Sequence, residues 1–129
     1  MTCFWDGILR SLNLSDFNYV GLSQTPLHAT ELCIILKRLN KPTDSVYCNG
    51  KKLTRQQLKE NYDAVEEYNV RNIYSGYFCS TMDPFLCLIS DVFRIRIEHD
   101  FNGYTMVYSV ESYRKIIKYR SNYDHFWYG

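Results

Sequence analysis

The feature that most constrains the fold is a change of period at residue 94. Between Asp83 and Phe93 the apolar residues Phe85, Leu86, Leu88, Ile89, Val92 and Phe93 cover most of a helix circumference. Immediately after, Arg94-Ile95-Arg96-Ile97-Glu98 alternates strictly between charged and apolar side chains. The first pattern predicts a buried helix and the second a half-buried strand. Asp83-Pro84 supplies an N-cap followed by proline in the first turn, so the helix has a defined start. The chain therefore passes from helices to sheet at this point.

The segments on either side agree. Asn102-Gly103 is a strong hairpin signal, and Thr105 to Val110 reads as the returning strand. Lys115 to Tyr119 predicts a third strand. A polar loop from Arg120 to Asp124 then leads to a strand-like piece, His125 to Tyr128. Upstream, Phe4, Ile8, Leu9 and Leu12 fall at helical spacing, with Asp6, Arg10 and Ser11 on the other face. Residues 13–23 read as a loop. Thr25 and Pro26 predict the start of a helix striped by Leu27, Leu32, Ile35, Leu36 and Leu39, and closed by Asn40 and Pro42. Cys33 belongs to its core side, and His28 to its first turn as a surface or cap residue. Asn49-Gly50 predicts a short hairpin within Val46 to Leu53. Thr54-x-x-Gln57 is a capping box opening a helix with Leu58, Tyr62 and Val65 on one face. Val70 to Met82, rich in Tyr, Ser and Gly, is irregular. Helices followed by an antiparallel meander make an α+β domain.

The 129 residues suit one domain, 1–129, around a single core. A formal charge of +1, with acids and bases mixed, argues against a dedicated nucleic-acid or membrane-surface binder. No apolar run approaches the roughly 18 residues of a membrane span. The five cysteines (3, 33, 48, 79 and 87) form no CxxC pair and no Cys–His ligand spacing, so no metal or other cofactor is expected. Their odd number, and an opening segment unlike a secretory signal, point to free thiols in a reducing, intracellular compartment.

Two residues carry candidate chemistry. Cys3 opens the first helix, where the positive end of the helix dipole favours a thiolate. Near the far end, His125 follows a polar loop and is flanked by Phe126 and Trp127, whose rings can exclude water. A cysteine hydrolase needs such a pair together with donors for the oxyanion. Each residue also has a plain structural reading, Cys3 as a small apolar side chain and His125 as a satisfied histidine. His99, at a strand end beside the hairpin turn, is expected to be exposed.

Several patterns resemble the ovarian-tumour (OTU) family of papain-like cysteine proteases, mostly deubiquitinases. Thr2-Cys3-Phe4-Trp5-Asp6-Gly7-Ile8 is similar to the family's nucleophile motif, close to Asn-Cys-Leu-Phe-Arg-Ala-Ile. Tyr74-Ser75-Gly76-Tyr77, then the 83–93 helix and the 94–98 strand, resembles the family's aromatic-Gly segment and the buried helix that feeds a strand after it. His125-Phe126 matches the place of the family's His-Tyr or His-Phe. The resemblance spans most of the chain. It implies an OTU-like fold, helices packed on an antiparallel β-meander, with Cys3 as nucleophile and His125 as general base. It also implies ubiquitin or a ubiquitin-like modifier as substrate, with Tyr77, Asp83 and Trp127 as candidate groove residues. Glu66 and Glu67 have the matching order but equally suit a solvated helix face, as Asp83 suits a helix cap.

The sequence departs from the family in two places. Met1-Thr2 stands where the family has Asp-Gly-Asn before the cysteine, which leaves a second oxyanion donor unassigned. Trp127 occupies the position of the third polar residue. Asp124 adjoins His125, but neighbouring strand side chains point to opposite faces. Asn122 and Asp6, with Asp16 as a further choice, are the candidates to orient the imidazole. Two functions are compatible with these residues. One is a Cys–His deubiquitinase. The other is a non-catalytic OTU-like fold that serves as a binding or structural component of an assembly, for which a tyrosine-rich surface is suited. So short a lead into the nucleophile fits a viral or bacterial effector protein, in the host cytoplasm or associated with a virion.

Overall fold

The computed structural model describes residues 3–129. Met1 and Thr2, and so that part of the opening motif, lie outside the described residues. The amphipathic opening segment forms helix α1, Cys3–Ser11, burying Phe4, Trp5, Gly7, Ile8 and Ser11. Ser11 thus belongs to the packed side, not the solvent side expected for it. Its hydroxyl bonds to the Ile8 carbonyl and to the Tyr119 hydroxyl.

Two helix boundaries differ from expectation. Residues 13–23 are not all loop, because Asn13 and Asp16 form a reciprocal capping box that opens helix α2, Leu14–Tyr19. The usual capping box has Ser or Thr with Glu or Gln; here the shorter Asn–Asp pair makes the same two bonds. The Thr25-Pro26 start is also displaced. Helix α3 runs Ala29–Arg38 with His28 at the N-cap, and Leu27 is 76% exposed. The remaining signals hold. Strands β1, Tyr47–Cys48, and β2, Lys51–Lys52, are joined through Asn49 and Gly50, both at positive φ (49° and 81°). This is the geometry that favours Asn-Gly in a two-residue turn. Thr54 and Gln57 cap helix α4, Arg55–Glu67. A 3₁₀ stretch, Val70–Ser75, occupies part of the segment expected to be irregular. Helix α5, Pro84–Phe93, buries eight of its ten residues and ends at Arg94 in the left-handed conformation (φ 55°).

From Arg94 the chain enters a six-stranded sheet. Its later strands are β3, Ile95–Phe101; β4, Tyr104–Ser109; β5, Lys115–Ser121; and β6, Phe126–Tyr128. The spatial order is β2-β1-β4-β3-β5-β6. This is a mixed sheet and not the antiparallel meander expected. β5 lies on the far side of β3 from β4 and runs parallel to β3, in register from Ile95↔Lys115 to Phe101↔Ser121. The connection after β4 is held across the end of β3. Arg114 donates its N–H to the Arg94 carbonyl (2.7 Å) and its Nε–H to that of Phe93 (3.0 Å). Arg114 and Lys115 then pair with the buried Asp16 of α2, at 3.0 and 2.6 Å. These partners are all on the β3 side, so β5 starts there.

The architecture is α+β, with helices on one face of the sheet. Ile95, Ile97 and His99 of β3, and Ile117, Tyr119 and Ser121 of β5, are buried beneath them. Arg96, Glu98 and Lys118 form ion pairs on the other face. α1 lies against β6, where the Phe126 ring sits 5.0 Å from the rings of both Phe4 and Tyr119. A Cβ at Gly7 would stand 2.7 and 2.9 Å from two ring carbons of Phe126. Gly7→Ala adds about 1 kcal/mol of helix propensity, but overlap with a hemmed-in ring costs about 1–3 kcal/mol. We expect a net loss of stability in urea unfolding, and relief of that loss when Phe126→Leu is combined with it.

Candidate functional site

Three segments enclose a cavity of about 410 Å³: Cys3 and Phe4 at the start of α1, residues 75–79, and the 121–126 turn between β5 and β6. Cys3, Tyr77, Asn122 and His125 all line it. The α1–β6 packing is the reason they meet. Phe126 under Gly7 draws the turn that precedes it towards the helix start. The size is that of an ordinary ligand cleft.

The structure brings Cys3 and His125 to one cavity without joining them. Among the described residues no hydrogen bond links the thiol to the imidazole. His125 is exposed and its ring lies 5.5 Å from that of Trp127. Asn122 holds His125 through the main chain. Its carboxamide oxygen accepts the N–H groups of Asp124 (2.8 Å) and His125 (2.9 Å), and its own N–H donates to the His125 carbonyl (3.0 Å). The side-chain oxygen expected to orient the ring is therefore committed to the backbone of the turn. Asp6 is on the exposed side of α1. Asp16 is excluded as an orienter, since it is fully buried in its ion pairs with Arg114 and Lys115. Those partners hold its carboxyl below the usual range against the opposing effect of burial.

Asp83 is not a groove residue. It is fully buried and caps α5, accepting from the N–H groups of Phe85 (2.9 Å) and Leu86 (3.2 Å) on one oxygen. The other oxygen accepts the Tyr77 hydroxyl (2.8 Å) and the Ser80 N–H (3.1 Å). Burial pushes its pKa up to about 6, opposed by these hydrogen bonds. Asp83 thus ties down the 76–83 segment whose Tyr77 lines the cavity. Trp127 is not part of the lining. It faces outward with the Arg120 guanidinium 5.1 Å from its ring centroid. Glu66 and Glu67 lie on the exposed side of α4. Cys79 also lines the cavity, but burial pushes its thiol up, which keeps it protonated at neutral pH. All five cysteines are free thiols. Among the described residues no cluster of His, Cys, Asp or Glu could hold a metal ion, and no helix is long and apolar enough to cross a membrane.

His99 is the residue that the sequence reading misplaced. It is fully buried, and its Nε2 lies 2.7 Å from the Oγ of Ser121, which lines the cavity. The available signal was the alternation itself. Extending Ile95 and Ile97 by two residues puts His99 on the core face. Burial lowers its pKa to about 4, so the ring is neutral at physiological pH. Comparison of the chain with protein-family models, curated proteins and solved structures gave no match.

The shifts of His99 and Asp83 act oppositely on stability. As pH falls from about 6.5 to 4, the unfolded chain protonates His99 before the folded protein does, so the buried imidazole destabilises the fold. Folded Asp83 takes up its proton earlier than the unfolded chain, near pH 6, and offsets the loss. His99→Gln removes only the histidine contribution. Its unfolding free energy in urea should therefore improve relative to wild type as pH falls through this window. Parallel pH profiles would contradict the assignment.

Proposed function

We propose that this chain is an OTU-like, papain-like cysteine hydrolase that removes ubiquitin or a ubiquitin-like modifier. The observation that carries the reading is the convergence of Cys3 and His125 on one cavity from opposite ends of the chain. Cys3 would lose its proton to His125, and the thiolate would attack the carbonyl carbon of the modifier's terminal glycine. A C–S bond forms while the C=O pair moves onto oxygen. Collapse of that intermediate breaks the C–N bond, and the imidazolium returns its proton to the leaving lysine amine. Water, deprotonated by His125, then cleaves the thioester to release a carboxylate and restore the thiol. No cofactor is required, and free thiols suit an intracellular setting.

The second reading is a binding module on the same fold. It is favoured by Phe78 and Tyr123, which line the cavity yet are 76% and 74% exposed, and by the absence of a Cys3–His125 hydrogen bond among the described residues. Large exposed rings are typical anchors for a partner. A ubiquitin-type probe with a C-terminal electrophile separates the two. The hydrolase should label at Cys3, with no adduct in Cys3→Ala and labelling slowed about 10²-fold or more in His125→Ala. Wild-type protein that binds the modifier without labelling would favour the binding module.

A further inference from the structure

The sequence leaves the second oxyanion donor without a residue, and the structure offers one. Ser121 is on the helix-facing side of β5, directly opposite Phe126 in the β5–β6 register. Directly opposed residues of an antiparallel pair point to the same face. Ser121 therefore shares the face on which Phe126 meets α1, and it lines the cavity with Cys3 and His125.

The His99 contact determines what the Ser121 hydroxyl can do. With Nε2 and Oγ only 2.7 Å apart, one of the two must donate to the other. If serine donates, the proton on neutral His99 sits at Nδ1, a buried atom with no hydrogen-bond partner. If Nε2–H donates, Nδ1 is left as a bare lone pair. Buried orphan donors are rarer in proteins than under-satisfied acceptors. The rings of Phe101 and Phe126, each 5.7 Å from the imidazole, surround His99 with apolar surface. The Nε2–H form is thus favoured. In that form the serine oxygen accepts from the ring, and its own O–H has no protein acceptor among the described residues, on a residue that lines the cavity.

We propose that Ser121 is the hydroxyl donor to the substrate's carbonyl oxygen in this cavity, and that His99 is the positioning residue that keeps its proton available. The inference rests on the hydrolase reading above. As the carbonyl becomes an oxyanion, the O–H···O contact gains strength without new ordering, because Ser121 is only 4% exposed and already held. Ser121 as nucleophile is a poorer reading. An imidazole that donates to the hydroxyl cannot also receive its proton, and burial depresses the basicity of this ring.

The primary test needs no turnover. Long-range ¹H–¹⁵N correlation spectra of the histidine-labelled full chain report which ring nitrogen of His99 is protonated, with His99→Gln assigning the signal. We expect a neutral Nε2–H ring at neutral pH, and an Nδ1–H ring overturns the proposal even if the protein is active. On a ubiquitin-type amide substrate, Ser121→Ala should lower kcat by about 10²-fold with little change in KM. Ser121→Thr keeps the hydroxyl and should retain most of the rate. His99→Gln, whose amide N–H can replace Nε2–H, should likewise retain most of it, whereas His99→Leu should not. Amide correlation spectra of each variant verify folding. A wild type that labels at Cys3 while Ser121→Ala turns over unchanged overturns the donor role and leaves the hydrolase intact. A wild type that does not label removes the hydrolase reading itself.

Discussion

The seating of α1 on the last two strands is the contact on which the rest depends. β6 is three residues long and pairs with β5 alone, too short a ladder to be stable by itself. Phe126 makes up the difference by inserting its ring beneath Gly7, between Phe4 and Tyr119. At the other end of the helix, Ser11 bonds Tyr119, and the Lys115 ammonium donates to the Ser11 carbonyl (3.3 Å). Trp5, fully buried, extends the contact into the rings of Phe85 and Tyr77. The first element is thereby fastened to the last, and the cavity forms where the two are joined.

A second theme is the use of buried polar groups as ties between elements remote in sequence. Asp16 joins α2 to the start of β5 through two cations. Asp83 joins α5 to the 76–83 segment, and its N–H joins both to β4 through the Tyr108 hydroxyl (2.8 Å). His99 joins β3 to β5 through Ser121. Each group has desolvation to overcome, and each does so with partners that only one arrangement of the chain supplies. Two of these ties, Asp83 and His99, back directly onto the cavity wall. The wall is consequently built from positioned side chains, although the segment at 75–79 lacks regular structure beyond Ser75.

Local signals carried much of this into the sequence. Asp83-Pro84, the Thr54–Gln57 box, Asn49-Gly50 and Asn102-Gly103 each act through backbone geometry or a bond a few residues long, and all four appear as read. Where the local structure departs from such signals, a competing local cue prevails. The α2 capping box uses the less familiar Asn–Asp pair, the Thr25-Pro26 signal is outcompeted by a start three residues later, and the phase of His99 in its strand outweighs its closeness to a turn. At the site, Cys3 and His125 were legible as chemistry. Ser121 was not, since a lone serine in a polar run carries no signal until its neighbour across the sheet is known.

By itself the sequence determined most of the elements, α2 excepted, with their order and the change from helical to strand period, because these depend on side-chain spacing along one segment at a time. It also specified which residues have the chemistry of a thiol and an imidazole. Only the tertiary structure decided that β5 lies parallel to β3, that Asp83 is interior, and that Cys3, Ser121 and His125 border one cavity. Those outcomes depend on long-range packing and on the pairing of buried charges, such as Asp16 with Arg114 and Lys115, and such partners are invisible in any local window.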